Sequence, residues 1–264
     1  MSKELRTERP GAVVIGASGG IGAALARELA GRGYSVALVG RRHDTLEQLC
    51  REINAARGAD EQGVPAARAY RHNVTDGEGA PALFDEIRRD LGAGGSELRV
   101  VVYAPGVMPG GARGGWTFDG ERATIETNLT GAMRWLDLAA ETFRRIGRGT
   151  VVGISSVAGD RGRKGNSAYM ASKAGLSVYL ESLRYRLHGT GVRVVTVKPG
   201  YVATPMTAGM KLPKPLVVAP EVVARRIARL CEGGPTVAYV PGYWRIIMAV
   251  VRAVPAALMP RLPI

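Results

Sequence analysis

A tyrosine and a lysine four positions apart, Tyr169 and Lys173, are the residues of this chain best suited to proton transfer. On a helix, this spacing places both side chains on one face within a single turn. A nearby ammonium group favours the phenolate, which brings the pKa of a tyrosine towards the range that acid–base catalysis needs. The pair therefore predicts a site that moves a proton.

Two further polar residues accompany this pair. Ser156 follows an apolar strand, at the edge where open sheets bind ligands, and its hydroxyl group could polarise a carbonyl oxygen. Asn128 interrupts a helical pattern in which asparagine is a weak helix former, which indicates a functional role. Taken singly, each of these residues could also be a cap or an exposed polar side chain.

Glycines near the start of the chain form a second pattern with chemical meaning. Gly16, Gly20 and Gly22 follow a GxxxGxG spacing between a predicted strand and a predicted helix, and Ser18 and Ile21 lie within this turn. Such a turn lets the backbone approach a pyrophosphate, which the unpaired N–H groups at the helix start can bind. A lone glycine run more often marks a simple turn, but its position here favours dinucleotide binding.

The residues after the second predicted strand bear on the choice of dinucleotide. Arg41 and Arg42 stand where an acidic side chain would bind the ribose hydroxyls of NAD(H). Two guanidinium groups instead suit the 2′-phosphate of NADP(H), so NADP(H) is favoured and NAD(H) is the alternative. The arginines could also be solvated surface charges. Asn73, after the third strand, is placed either to bind adenine or to form an ordinary turn.

The residues named so far lie on or beside segments whose patterns alternate between strand and helix. This alternation predicts parallel strands joined by helical crossovers. The predicted strands are Ala12–Gly16, Ser35–Val39, Ala66–Tyr70, Leu98–Ala104, Thr150–Ser155, Val192–Lys198 and Thr236–Val240. The predicted helices are Ile21–Arg32, Thr45–Arg57, Ala80–Leu91, Phe118–Ile146, Ser167–His188 and Pro220–Cys231. The sequence thus predicts an α/β fold, a single doubly wound (Rossmann-like) domain with a seven-stranded parallel sheet.

Two connections between predicted strands and helices are unusually long, Pro105–Trp116 and Pro199–Ala219. Both are candidates for a wall or lid of the active site. We expect residues 1–10 to form a flexible lead-in and residues 11–242 to form the dinucleotide-binding catalytic domain. Residues 243–264 are expected to add an apolar and basic C-terminal helix and tail to the same domain.

Composition excludes several classes of function. The net charge of +13 favours an anionic partner, but the arginines are scattered and not massed with aromatic residues, so no nucleic-acid surface is expected. The three histidines and two cysteines lack metal-ligand spacing, so no metal site is expected. No apolar run is long enough to span a bilayer. We therefore expect a cytoplasmic protein, associated at most with the inner face of the membrane.

Together, these residues resemble the classical short-chain dehydrogenase/reductase family over nearly the whole chain. In that family a serine precedes the tyrosine by thirteen positions, which matches Ser156 and Tyr169. The resemblance implies that Tyr169 gives or takes the proton and that Ser156 orients the carbonyl group. It also implies that Lys173 lowers the phenol pKa and holds the nicotinamide ribose, and that Asn128 holds a water molecule of the proton relay.

The resemblance extends to the segment after the sixth predicted strand. Pro199, Gly200, Val202 and Thr204 match family residues that contact the nicotinamide carboxamide. Members of this family form dimers and tetramers, so the resemblance implies a homodimer or homotetramer.

Three positions depart from the family pattern. Ile15 replaces a threonine, Asn73 replaces an aspartate, and Tyr103–Gly106 replaces an Asn-Asn-Ala-Gly segment. These changes bear on adenine-side and sheet-stabilising hydrogen bonds and leave the catalytic residues unchanged. Within the family, Ser155–Asn166 and Met259–Ile264 resemble the decaprenylphosphoryl-2-keto-ribose reductases, which reduce a keto sugar carried on a polyprenyl phosphate.

We therefore expect an NADP(H)-dependent ketone reductase or secondary-alcohol dehydrogenase, in which hydride passes between nicotinamide and substrate carbon while Tyr169 handles the proton. The substrate would be a small-molecule or lipid-linked carbonyl compound, such as the keto sugar of that subgroup. One alternative is a generic lipid, polyketide or steroid ketoreductase. Another, of a different class, is a non-catalytic protein that senses NADP(H).

The C-terminal segment Trp244–Met259 is apolar apart from Arg245 and Arg252, and Pro255 interrupts its helical pattern. It is too short to cross a bilayer. One interpretation packs it on its own domain or on a partner subunit. The other docks it on an anionic membrane. Docking would place four apolar side chains at the acyl boundary: Trp244, Ile247, Met248 and Val251.

Overall fold

The computed structural model describes residues 9–58, 63–109 and 117–262. Its strands are β1 (Arg9–Ile15), β2 (Ser35–Gly40), β3 (Ala67–Arg71), β4 (Ser96–Tyr103), β5 (Gly149–Ile154), β6 (Val192–Pro199), β7 (Tyr201–Val202), β8 (Val217–Val218) and β9 (Val237–Val240). Its α-helices are α1 (Gly20–Gly31), α2 (His43–Arg57), α3 (Gly79–Ala93), α4 (Phe118–Ile125), α5 (Gly131–Ile146), α6 (Ser167–Arg186), α7 (Pro220–Glu232) and α8 (Trp244–Ala253).

Seven of these strands form one parallel sheet in the order β3-β2-β1-β4-β5-β6-β9. This confirms the predicted seven-stranded, doubly wound α/β domain. The strand order reverses between β1 and β4, and ligands of such sheets bind at this switch point, beyond the carboxyl ends of the strands.

The core lies on both faces of the sheet. In β1, Val13 and Ile15 pack against the layer of α3, α5 and α6, whereas Ala12 and Val14 pack against α1, α2 and α7. Both faces of the strand are therefore apolar, which explains its uninterrupted hydrophobic run.

The start of the sheet differs from the expected lead-in. Strand β1 begins at Arg9 because Arg9 and Pro10 pair with Ser96 and Glu97 of β4. The last two residues of the expected lead-in therefore belong to the sheet, and residues 1–8 lie outside the described part of the chain.

The long predicted helix Phe118–Ile146 is divided into α4 and α5 by a π-helical turn, Glu126–Thr130. Such turns insert one extra residue into a helix and are frequent at functional sites.

The long connection after β6 also contains structure, because β7 and β8 pair in a small parallel sheet of their own. Helix α8 ends at Ala253, six residues before the predicted end at Met259, since Pro255 follows closely and cannot continue a helix. None of the helices in the described ranges is long and apolar enough to cross a membrane.

Candidate active site

Backbone sterics shape the glycine turn between β1 and α1. Gly16 has a φ of 81°, and a Cβ there would lie 2.7 Å from the backbone nitrogen of Pro105. A Cβ on Gly22 would collide with the carbonyl oxygen of Gly16. Gly20 opens α1 with a φ of 53°. The turn thus has no side chain at these three glycines and lies at the positive end of a helix, which fits the pyrophosphate of a dinucleotide.

Arg42 lies against this turn. Its Nη2 atom donates hydrogen bonds to the carbonyl oxygen of Ser18 at 2.5 Å and to Ser18 Oγ at 3.4 Å. Arg41 is exposed beside it, and Ile21 is partly buried against the core. A guanidinium group therefore meets the glycine turn at the carboxyl end of β2, where an anionic group on the adenosine ribose could pair with it.

Asn73, the residue considered for adenine binding, forms a turn in this structure. Its Oδ1 atom accepts a hydrogen bond from the backbone nitrogen of Thr75 at 3.4 Å, and its carbonyl oxygen accepts one from Asp76. Asparagine favours such turns because its side chain mimics a backbone carbonyl. The exposed side chain supports the ordinary turn interpretation.

Helix α6 carries the tyrosine–lysine pair. The side chain of Asn166 caps the helix start by accepting a hydrogen bond from the backbone nitrogen of Tyr169 at 2.9 Å. This fixes the first turn of the helix, and the Ser156 hydroxyl, two residues after the end of β5, lies near enough to the Tyr169 phenol to lower its pKa. Ser156 Oγ also accepts a hydrogen bond from the backbone nitrogen of Ala158.

Lys173 is buried one turn further along. Its Nζ atom donates a hydrogen bond to the carbonyl oxygen of Ile154 at 2.8 Å and lies 5.9 Å from the centroid of the Tyr169 ring. Burial lowers the pKa of Lys173 to about 8, since a low-dielectric environment disfavours the ammonium ion. The lysine therefore remains mainly charged at neutral pH.

The pKa of Tyr169 departs from the sequence expectation. Lys173 was expected to lower it, but burial raises the pKa of this phenol, and the neighbouring Ser156 hydroxyl only partly opposes that increase. Burial destabilises the phenolate by more than the neighbouring groups stabilise it. In this structure Tyr169 is thus a protonated phenol at neutral pH.

Asn128 lies within the π-helical turn and is completely buried. Its Oδ1 atom accepts a hydrogen bond from the backbone nitrogen of Val107 at 2.8 Å. Its Nδ2 atom donates to the carbonyl oxygen of Val107 at 3.0 Å and to Ser172 Oγ at 3.1 Å. Both amide protons are used in this way, so a relay water at this side chain could bind only by donating to Oδ1.

Two residues that sequence reasoning missed lie between these groups. The position that a Cβ would take on Gly106 is 3.6 Å from Lys173 Nζ, 3.8 Å from Asn128 Oδ1 and 3.3 Å from Met206 Cε. A Cβ at Gly106 would therefore touch the lysine and the asparagine at ordinary contact distance and would be tight only against the end of Met206. The departure from the family pattern at Tyr103–Gly106 was a signal for this segment, whereas no motif marks Met206.

The segment after β6 contacts both the glycine turn and the C-terminal helix. Pro199 ends β6, and Val202 is buried in β7. Thr204 Cγ2 lies 3.3 Å from the position of a Cβ on Gly20, so this segment covers the glycine turn. Gly200 has a different neighbour, because a Cβ there would collide with the indole nitrogen of Trp244.

The C-terminal helix packs on its own domain. Trp244 and Met248 are 3% and 0% exposed and form a cluster with Val157, against which Ile247 and Val251 also pack. The four side chains expected at a membrane boundary therefore face the protein, and that assignment is wrong. Gly200 is the physical reason, since its missing side chain admits the tryptophan ring.

The second candidate wall, Pro105–Trp116, is described only in part. Asn166 Nδ2 donates a hydrogen bond to the carbonyl oxygen of Pro109 at 3.0 Å, which ties this loop to the start of α6. Residues 110–116 lie outside the described part of the chain.

Comparisons with known proteins identify the family and agree with the fold. The family model for short chain dehydrogenases matches residues 11–214. An oxidoreductase of Myxococcus xanthus is 40% identical over 223 residues, which cover 83% of this chain and 83% of that protein. Ketoacyl reductase HetN of Nostoc sp. is 30% identical over 85% of this chain and 76% of its own length. A variant of actinorhodin polyketide ketoreductase, solved with NADPH, has a TM-score of 0.76 and 26% identity, and the match covers 89% of this chain and 97% of that one.

Proposed function

This chain belongs to the short-chain dehydrogenase family, and we propose that it reduces a ketone to a secondary alcohol with NADPH. One observation carries the proposal. The Ser156 hydroxyl lies near enough to the Tyr169 phenol to lower its pKa, and Lys173 binds the last carbonyl group of β5. A phenol, a hydroxyl and an ammonium group therefore converge at the ligand-binding edge of the sheet.

Tyr169 is the proton donor in this proposal. Burial raises its pKa, so the phenol keeps its proton at neutral pH, as a group that protonates a carbonyl oxygen requires. The Ser156 hydroxyl is next to the phenol and can donate a hydrogen bond to the same oxygen. As Tyr169 gives up its proton, the Lys173 ammonium stabilises the phenolate that remains.

The glycine turn fits a nicotinamide dinucleotide because its backbone leaves room for a pyrophosphate at the start of α1. Residues Gly16–Gly22, Ser18 among them, would hold the pyrophosphate, Lys173 the ribose, and Pro199–Thr204 the nicotinamide side. When bound, the cofactor supplies the hydride that reduces the substrate carbon. Arg42, in contact with Ser18, supports NADP(H) over NAD(H), with Arg41 as a second cation for the 2′-phosphate.

The substrate class is a ketone, and the neighbours suggest which ketones to test first. The names of HetN and of the actinorhodin protein refer to ketoacyl and polyketide reductases. A keto sugar on a polyprenyl phosphate, suggested by the segment Ser155–Asn166, is the second substrate class to test. The homodimer or homotetramer expected from the family stays a prediction that light scattering can measure.

The proposal is tested by following NADPH oxidation by the purified chain with four ketones: a β-ketoacyl thioester, a bicyclic diketone, a steroid ketone and a polyprenyl-phosphate keto sugar. We expect turnover with at least one, and the preferred ketone identifies the substrate class. NADPH binding without oxidation by any of these ketones would contradict the reductase and support a cofactor-sensing protein.

A further inference from the structure

The last residue of β4, one of the positions where this chain departs from the family pattern, contacts a helix. Tyr103 is fully buried, and its hydroxyl group donates a hydrogen bond to the carbonyl oxygen of Thr127 at 2.5 Å. Thr127 belongs to the π-helical turn that precedes α5. The end of the sheet is therefore attached directly to the irregular part of the helix.

The π-helical turn explains why this carbonyl group accepts a side-chain hydrogen bond. In an α-helix the N–H group of Gly131 would donate to the carbonyl oxygen of Thr127, four residues earlier. Here it donates to Glu126, five residues earlier. The carbonyl group of Thr127 thereby loses its regular helical donor, and Tyr103 supplies a replacement in a buried position where an unpaired carbonyl is costly.

The same turn determines where Asn128 points. Asn128 binds both backbone groups of Val107 and the hydroxyl group of Ser172. Val107 lies four residues after Tyr103, so the segment that follows β4 is joined to the π-helical turn at two adjacent positions. If the turn relaxed to α-helical bonding, the extra residue would shift and Asn128 would leave this arrangement.

Gly131 provides the space for this contact. A Cβ on Gly131 would lie 2.7 Å from the Tyr103 hydroxyl oxygen and 2.8 Å from the carbonyl oxygen of Val74. A side chain there would push the phenol away from the turn. The glycine after the turn and the tyrosine at the strand end are therefore parts of one arrangement.

We propose that Tyr103 is a positioning residue. Its hydrogen bond to Thr127 stabilises the π-helical turn, and the turn places Asn128 for the reaction. The proposal rests on the reductase function proposed above. Its role is distinct from that of Tyr169, because the buried Tyr103 hydroxyl contacts the backbone of a helix and not the proton-transfer group.

The test compares Tyr103→Phe with Tyr70→Phe. Both substitutions remove one hydroxyl group from a buried tyrosine, but that of Tyr70 binds Asp90 Oδ2 at 2.7 Å, away from the turn. Hydrogen exchange should become at least about tenfold faster over residues 126–132 in Tyr103→Phe and remain unchanged there in Tyr70→Phe. Unchanged exchange in Tyr103→Phe would overturn the proposal, whatever the activity of the protein.

A double-mutant cycle tests the action through Asn128. We expect kcat to fall about tenfold in Tyr103→Phe, with the Kd for NADPH changed less than about twofold. If Tyr103 acts through Asn128, the double variant Tyr103→Phe/Asn128→Ala should be no slower than Asn128→Ala alone. Losses that multiply would refute the coupling.

A second variant keeps the test decisive if Tyr103→Phe does not fold. Gly131→Ala leaves the tyrosine in place and crowds its hydroxyl group, so it should also accelerate exchange over residues 126–132. Protected exchange in a folded Gly131→Ala protein would contradict the proposal. A wild-type protein that shows the expected exchange pattern but reduces no ketone would reject the reductase function and leave the structural role of Tyr103 standing.

Discussion

Two neighbouring parts of the sheet's carboxyl edge are built in different ways. Beside β1 and β2, the backbone itself makes the site, because Gly16 and Gly22 have no room for a side chain. Beside β4 and β5, side chains make the site by binding backbone groups from other elements. Asn128 binds Val107 in this way, and Lys173 binds Ile154.

This difference determines which changes each part can tolerate. A backbone-built cradle is sensitive to a single added methyl group. A side-chain-built site is sensitive to a single lost hydroxyl or amine, because each buried polar group has a specific partner. Substitutions that add or remove one group therefore test the comparison directly.

The largest effect is expected where the side-chain-built part carries the chemistry. Tyr169→Phe keeps the packed ring and removes the proton, so turnover should fall at least about 100-fold while the Kd for NADPH changes little. Steady-state kinetics and fluorescence titration measure these two quantities. Tyr179→Phe is the matched control, since this residue is on the same helix and its hydroxyl group binds Met133. Equal turnover in the two variants would contradict the assignment of Tyr169.

The arginines beside the cradle come next in expected effect. Arg41→Ala combined with Arg42→Ala should weaken NADPH binding by about 2 kcal/mol, or about 30-fold, and affect NADH much less. Only NADPH carries the phosphate that the guanidinium groups are proposed to meet. Titration of both cofactors measures the difference, with the exposed Arg51→Ala on α2 as control. Equal losses for the two cofactors would exclude a phosphate role.

Sequence reasoning could predict the backbone-built part because its signals are local. The glycine spacing lies within seven residues, and the seven-stranded parallel sheet follows from strands that alternate with helices. Asn128 could also be singled out, since asparagine is unusual within a helix. The π-helical turn around it could not, because its stability depends on a hydroxyl group from Tyr103, 24 residues earlier.

The C-terminal helix shows the same limit. Apolar residues occur on two faces of α8, and periodicity does not say which face meets the domain. The structure buries Trp244 and Met248 and leaves Ile246 and Val250 72% and 63% exposed. The buried face is selected by Gly200, which is 44 residues before Trp244 in the sequence and leaves room for its ring.

A glycine pair in α1 tests the backbone-built part. Gly22→Ala should weaken NADPH binding about tenfold, because the new Cβ must displace the carbonyl group of Gly16 that shapes the cradle. Gly31→Ala, in the last turn of the same helix, has nothing near its Cβ position and should preserve binding. Its free energy of unfolding should rise by about 0.5 kcal/mol. Normal NADPH affinity in Gly22→Ala would show that the cradle is not set by sterics.

The smallest effect is expected at the outer limit of the side-chain-built part, where α8 meets the loop that follows Ser156. Arg161 donates hydrogen bonds to the carbonyl oxygens of Arg252 and Val254, both at 3.0 Å, and so caps the end of α8. Arg161→Met keeps the apolar stem and removes this cap, which should cost about 1 kcal/mol because the contact is partly exposed.

The loss should be local to the tail. Hydrogen exchange over residues 244–254 should accelerate about fivefold in Arg161→Met, with turnover changed less than about threefold. Arg163→Met removes a cation from the same loop without removing these bonds and serves as the control. If both variants accelerate exchange equally, the loop charge matters and the cap does not. If neither does, α8 is held by the packing of Trp244 and Met248 alone, and the side-chain-built part ends at the catalytic residues.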